Sequence, residues 1–397
     1  MIVSEKMYEL GSKRSAIREL FEYGKKRAAI VGAENVYDFS LGNPTVPAPD
    51  CVDEIIRQLT EEMDCMKLHG YTSAQGDVET RSAIAEFLNK THGTNFVADD
   101  FYITMGAAAS LSIAFHALTT SNEDEYITIA PFFPEYKVFV EATGASLKVV
   151  PADTENFQID FEKLEAMVNV HTKAIIINSP NNPSGAVYSA ETIQKLADLL
   201  SEKEKEYGHP IFIIADEPYR EIAYDGVEVP FVTKYYANTL VCYSYSKSLS
   251  LPGERIGYIL VPQEAYESKA LYAAVAGAGR ARGYVCAPSM MQKVITRCQG
   301  ETGDVELYKK NRDVLYEGLT KIGYKCFKPQ GAFYMFMKAL EDDANAFCER
   351  AKAEDLLIVA GDGFGCPGYV RISYCVDEEM IKRSFGAFER LYQSYQK

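Results

Sequence analysis

Basic residues are scarce: 41 lysines and arginines face 56 aspartates and glutamates, for a net charge of −15 over 397 residues. Nucleic acid and anionic membrane surfaces both demand basic patches, so neither is expected as a partner. Long apolar runs are missing too. Those present, such as Ala174–Ile177 and Ile211–Ala215, fall far short of the ~20 residues that span a bilayer and read as core strands. Residues 1–10 carry Glu5, Lys6 and Glu9 and no apolar stretch of signal-peptide length, which predicts a cytoplasmic address. The nine cysteines are scattered from Cys51 to Cys375 without a C-x-x-C, so reduced core thiols are expected rather than a disulfide framework or a zinc ribbon. The five histidines form no H-E-x-x-H pattern and none sits beside a cysteine pair, so no metal is expected.

What the chain does have is length and alternation. With 47% hydrophobic residues, 397 positions suffice for one large α/β domain and a smaller one. Short apolar runs at 126–130, 146–150, 174–178, 211–215, 240–243 and 258–261 alternate with amphipathic stretches such as 190–205. That pattern predicts a mostly parallel sheet covered by helices. After about Cys286 it changes to a long helical stretch (290–318), a strand-like 331–337, a helix near 343–353 and a strand-like 369–374, read as a smaller α+β domain. The expected division is 1–47 for an N-terminal arm and part of the small domain, 48–284 for the large domain and 285–397 for the small one. No internal repeat or low-complexity tract stands out.

Chemistry concentrates at 244–257, Ser-Tyr-Ser-Lys-Ser-Leu-Ser-Leu-Pro-Gly-Glu-Arg-Ile-Gly. Lys247 sits among small and hydroxylic neighbours with Arg255 one short loop downstream. A neutral lysine amine condenses with an aldehyde, and Ser244, Ser246 and Arg255 suit a phosphate on the same molecule. Asp216 ends the apolar run 211–215, where an open parallel sheet gathers ligand-binding groups, and Tyr219 follows. Standing alone, Asp216 would serve equally as a turn cap. Gly106, Ala107 and Ala108 open an apolar helical pattern after the run 101–105, and small residues there leave backbone N–H groups for a phosphate. A plain helix start fits them as well. Asn182, before Pro183, sits in a turn-forming stretch. In Pro131-Phe-Phe-Pro134, Phe133 is preferred to Phe132 as a stacking plane, with core packing the competing role for either.

Over nearly its full length the chain resembles the fold type I, class I aminotransferases. The matching pieces occur in family order: Leu41-Gly-Asn-Pro44, Tyr71-Thr72 with Gly76, Asn181-Asn-Pro-Ser-Gly185, Asp216-Glu-Pro-Tyr219, the Lys247 segment, Gly331-Ala-Phe-Tyr334 and Tyr369-Val-Arg-Ile-Ser373. The resemblance implies pyridoxal 5'-phosphate held as a Schiff base on Lys247, which also shuttles protons. It further implies Asp216 at the pyridine nitrogen and Tyr219 and Asn182 at the phenolate oxygen. Arg371 would bind the substrate α-carboxylate, assisted by Asn182 and the Gly42 backbone. Tyr71 would reach the cofactor phosphate of a partner subunit, making the active sites shared in a homodimer. Two departures stand out: Ala107 and Ala108 replace hydroxylic residues in the phosphate loop, and Phe133 stands where aspartate aminotransferases often carry Trp.

The implied reaction moves the amino group of an amino acid, aspartate in the leading reading, to a 2-oxo acid such as 2-oxoglutarate. Arg282 is the candidate ligand for a distal carboxylate, with Arg280 in reserve; an ordinary exposed arginine fits either. Alanine, aromatic or broad-range aminotransferases are the alternatives, as is a C–S lyase on the same scaffold. A regulator fused to a DNA-binding module is not expected, since the chain is acidic and only about forty residues precede the Leu41-Gly-Asn-Pro motif. Gly363-Phe-Gly-Cys-Pro-Gly368 matches G-x-G-x-x-G, but a strand-like segment follows it where a dinucleotide site needs a helix.

Overall fold

The computed structural model describes residues 2–12 and 16–396. The chain forms two compact units, one made of Val46–Val305 and Gln330–Ala332, the other of Met1–Thr45, Glu306–Pro329 and Phe333–Lys397. The second division falls near 305 rather than at 284/285. Helix Ser289–Arg297 packs on helices Asp50–Glu62, Cys65–His69 and Val78–His92, burying Met291, Val294 and Ile295 in the large unit. The helical stretch expected over 290–318 is two helices, Ser289–Arg297 and Val305–Ile322. Gly300 takes a left-handed φ of 87° between them, where a residue with a Cβ would be strained.

The first strand, β1 (Tyr37–Asp38), belongs to the small unit. Seven strands build the large sheet: β2 (Phe101–Thr104), β3 (Glu125–Ile129), β4 (Ser146–Val150), β5 (Thr172–Asn178), β6 (Phe212–Asp216), β7 (Thr239–Ser244) and β8 (Gly257–Leu260). Their order is β2-β8-β7-β6-β5-β3-β4. From β4 to β7 neighbours run parallel, while β8 is antiparallel to both β2 and β7. Side chains alternate between the faces. Ile175, Ile177, Ile213, Ala215, Val241 and Tyr243 join one core cluster, whereas Ala174, Ile176, Phe212, Ile214, Leu240 and Cys242 join the other. Both faces are apolar because helices cover both, the rule for parallel sheets. By the same alternation Asn178, Asp216 and Ser244, at the C-terminal ends of adjacent strands, share the second face.

The small unit adds β9 (Tyr334–Lys338), β10 (Leu356–Leu357), β11 (Val359–Ala360) and β12 (Tyr369–Ser373). β1 pairs in parallel with β10, and β11-β12-β9 form an antiparallel sheet. The Gly363–Gly368 segment joins β11 to β12 through a 3-10 turn (Gly361–Phe364) and carries no helix after it. Among the described residues no helix is long and apolar enough to cross a membrane.

Candidate active site

The turn after β7 carries Lys247. Ser244 ends the strand and caps the four-residue helix Tyr245–Ser248, its Oγ accepting from the Ser246 N–H at 3.3 Å and lying 2.7 Å from Ser246 Oγ. Arg255 takes φ 52° and returns its guanidinium to this turn. Nη1 donates to Pro252 O at 2.9 Å and lies 3.5 Å from Ser246 Oγ, and Nη2 donates to Met105 O at 3.3 Å.

Gly106 caps helix Ala107–Leu118 at φ 84° without a side-chain partner. The first backbone bonds returning to its carbonyl come from Ala109 and Ser110, both at 3.1 Å, so the Ala107 and Ala108 N–H groups lie ahead of the intrahelical ladder. A Cβ at Gly106 would stand 2.8 Å from Arg255 Nη2, so that guanidinium lies directly over the helix start. A Cβ at Gly257 would run into Tyr243 O and would lie 3.1 Å from Gly106 Cα and 3.2 Å from Ser244 Cα. Gly257 therefore permits the close approach of the β2 turn and the β7 turn. Backbone donors, two hydroxyls and an arginine fork meet there, a cradle suited to phosphate.

Asp216 lies on the same sheet face and is 5% exposed. Its Oδ2 accepts from Tyr136 OH at 2.6 Å, while Oδ1, also buried, has no hydrogen-bond partner among the described residues. Burial raises the carboxyl to about 7, opposed by the Tyr136 hydrogen bond. Asn178 ties the neighbouring loops together. Its Nδ2 donates to Asp216 O at 2.8 Å and its Oδ1 accepts from the Asn182 N–H at 2.7 Å. Tyr219 is buried one turn beyond Asp216. Phe133 is half-buried and meets Tyr136 edge-on at 5.6 Å, whereas Phe132 lies in the core, so Phe133 keeps the freer face.

Tyr71 stands 98% exposed on the isolated chain, although the adjacent Thr72 is fixed by bonds from Gln292 Nε2 to its Oγ1 and from Cys286 Sγ to its carbonyl. Arg282 ends helix Ser268–Arg282, exposed, with Nη1 3.0 Å from His116 Nε2. His116 lies near the C-terminus of the Gly106-capped helix, about 15 Å along its axis from that cap. Within one chain, then, Arg282 is not brought to the Lys247 turn. Burial, followed by the Arg282 charge, depresses the His116 imidazole. Arg280 is exposed on the same helix as Arg282.

In the small unit Arg371 on β12 is 3% exposed. Its Nη2 donates to Ser40 O at 2.6 Å, and its guanidinium lies over the rings of Tyr334 (4.7 Å) and Phe364 (4.9 Å). A Cβ on Gly42 would collide with the Tyr334 hydroxyl, so glycine there lets the Leu41–Pro44 backbone approach this ring.

Sequence reasoning missed Tyr136, Asn178 and Gly257. The one local signal for Tyr136 was its position three residues after Phe133 at a helix start; its bond to Asp216 spans 80 residues.

A buried carboxylate oxygen without a donor is costly. A protonated pyridine nitrogen is a donor of the kind that Asp216 Oδ1 lacks, and the nearby cradle fits the phosphate of the same molecule. Such a pairing defines a pyridoxal-phosphate enzyme on a mostly parallel sheet. The family model described as aminotransferase class I and II matches residues 34–388, and the chain belongs to that family. It is a pyridoxal-phosphate-dependent aminotransferase. It is similar to an amino transferase from Eubacterium rectale, whose crystal structure aligns at a TM-score of 0.99 with 74% identity over 100% of both chains. It is 29% identical to the aspartate/prephenate aminotransferase of Thermus thermophilus, over 88% of this chain and 89% of that one. It is also 29% identical to the aspartate aminotransferase of Thermotoga maritima, over 92% and 93%.

Proposed function

We propose that Lys247 is the catalytic base and acid of this aminotransferase, that aspartate is the amino donor and that 2-oxoglutarate is the acceptor. The observation carrying the residue assignment is the buried Oδ1 of Asp216, without a hydrogen-bond partner among the described residues, on the sheet face it shares with Ser244 at the end of β7, just before Lys247. Pyridoxal phosphate, when bound, supplies an electron sink conjugated to the substrate Cα. Asp216 would keep a proton on the ring nitrogen, and Tyr219 and Asn182 would donate to the phenolate oxygen. Gly106, Ala107 and Ala108 would present backbone N–H groups to the phosphate, with Ser244, Ser246 and Arg255 completing its shell, and Phe133 would stack on the ring. Lys247, as a free amine, would take the proton from the substrate Cα and would hold it for return as general acid. Arg371 holds the α-carboxylate by a bidentate fork, with Asn182 and the Gly42 backbone assisting.

The full exposure of Tyr71 on an anchored backbone supports a homodimer in which Tyr71 reaches the partner's phosphate site. In such a dimer Arg282, which lies away from the Lys247 turn of its own chain, would meet a substrate's distal carboxylate in the neighbouring subunit. A cytoplasmic address accords with the acidic charge and with the absence, among the described residues, of a helix long and apolar enough to cross a membrane. The names of the Thermus and Thermotoga relatives support aspartate as donor.

Lys247→Ala tests the assignment. The variant should lose the visible absorption of lysine-bound cofactor and nearly all turnover. Normal turnover would defeat it.

A further inference from the structure

Opposite the face that carries Asp216, the large sheet buries a second charged cluster. Arg220 is 7% exposed; its Nη1 donates to Glu217 Oε2 at 3.1 Å, its Nε to Glu221 Oε1 at 3.3 Å and its Nη2 to Tyr258 OH at 2.8 Å. The guanidinium also lies 4.4 Å from the centroid of the Tyr243 ring. Tyr243 OH in turn donates to Glu221 Oε2 at 2.9 Å and lies 2.9 Å from Ser248 Oγ.

The ends of this chain of bonds are informative. Glu217 directly follows Asp216, and Ser248 directly follows Lys247. Tyr258 accepts at its carbonyl from Ser110 Oγ at 3.2 Å, and Ser110 bonds back to Gly106 at the phosphate cradle. One side chain thus connects three segments that the cofactor needs in fixed relation.

We propose that Arg220, acting through Tyr243, is the positioning hub that keeps Asp216, Lys247 and the Gly106 turn in register. The inference rests on the cofactor site proposed above. A buried Arg–Glu group is a poor way to stabilise a fold, since apolar residues of like volume often do as well or better. Here it leaves Glu217 Oε1 without a partner among the described residues, a further cost. What the cluster supplies is direction: two bonds brace the loop after β6 internally, one ties it to β8, and the two at Tyr243 OH join it to the turn after β7. Catalytic groups displaced by an ångström lose much of their rate.

Tyr243→Phe deletes the hydroxyl that joins Glu221 to Ser248 and keeps the ring stacked on Tyr258, 4.9 Å away. In the holoenzyme the variant should lower kcat about tenfold with the KM of the amino donor within about twofold. Its bound cofactor should show a weakened visible circular-dichroism band, and the pH titration of its visible absorption should move by roughly half a unit. Ser248→Ala, which cuts the same link from the other side, should reproduce these changes. The double variant should fall no further than either single one. A lower melting temperature with unchanged dichroism, titration and kcat would reduce the cluster to a structural role and overturn the proposal. Ser248→Ala carries the test should Tyr243→Phe fail to fold. Lys247→Ala, run in parallel, separates the two inferences: visible lysine-bound absorption persisting in that variant would overturn the site assignment, whereas its loss beside an unaltered Tyr243→Phe would overturn the hub alone.

Discussion

Replacing Asp216 with asparagine removes a carboxyl group that the cofactor-free fold holds at a cost. Burial raises it from the ordinary ~3.9 to about 7. At about 1.36 kcal/mol per pH unit, that interval corresponds to roughly 4 kcal/mol, on the order of the penalty for ionising it in place. The sign follows from linkage: the folded value exceeds the unfolded one, so between about pH 4 and 7 the unfolded chain binds fewer protons and stability falls as pH rises. Roughly 2.5 kcal/mol of the loss belongs to the range from pH 5 to 8. With about 2 °C per kcal/mol for a unit of this size, the melting temperature of cofactor-free Asp216→Asn should gain about 5 °C over the parent at pH 8 relative to pH 5. Glu217, raised to about 7 chiefly by burial and further by the Asp216 charge, titrates in both proteins; losing that charge eases its ionisation in the variant and so acts in the same direction as the expected gain. Added pyridoxal phosphate should reverse the order at pH 8, because the parent carboxylate gains a cationic donor and the amide does not. The assay is thermal denaturation of both proteins at both pH values, with and without cofactor. Parallel curves would refute the claim that Asp216 is an unpaired carboxylate awaiting a cation.

Tyr136→Phe removes the hydroxyl that donates to Asp216 Oδ2, and a bond to a charged group of about 1.5 kcal/mol predicts a cofactor dissociation constant raised about tenfold, measured by equilibrium dialysis. An unchanged constant would contradict the positioning of Asp216 by Tyr136. Gly257→Ala drives a methyl group into Tyr243 O beside Gly106 and Ser244, so its purified form should carry much less cofactor; full occupancy would remove the close-approach argument. Arg371→Ala should raise the KM for every amino donor, by about 100-fold for a lost charged pair of some 3 kcal/mol, and Arg371→Lys should recover only part of it. Arg282→Ala should reduce the preference for aspartate over alanine, and an unaltered ratio would dismiss Arg282 as a distal-carboxylate ligand.

The parts of this architecture legible in the sequence are those carried by local pattern. The apolar runs at 146–150 and 174–178 lie on β4 and β5, and the turn residues after 211–215 announced that Asp216 ends a strand. Contacts between distant segments were not legible. Nothing in Pro131-Phe-Phe-Pro134 states that Tyr136 will face Asp216, and nothing near Gly257 states that its Cα will approach Gly106. The helical pattern expected across 290–318 ran over a break that the polar stretch 299–304, with Gly300 and Gly303 and no apolar residue, marked. The first half then went to the large unit because of what it packs on, which spacing along a chain does not encode. Arg282 shows the same limit. The sequence offered it as a distal-carboxylate ligand, whereas the fold sets it against His116, away from the Lys247 turn of its own chain.

A single half reaction tests the central claim most directly. Holoenzyme mixed with aspartate, without any 2-oxo acid acceptor, should lose its visible cofactor absorption and release one equivalent of oxaloacetate per site, then stop. Adding 2-oxoglutarate should restore the absorption and yield one equivalent of glutamate. Continued 2-oxo acid release without an acceptor, or no spectral change with any amino donor, would contradict the account.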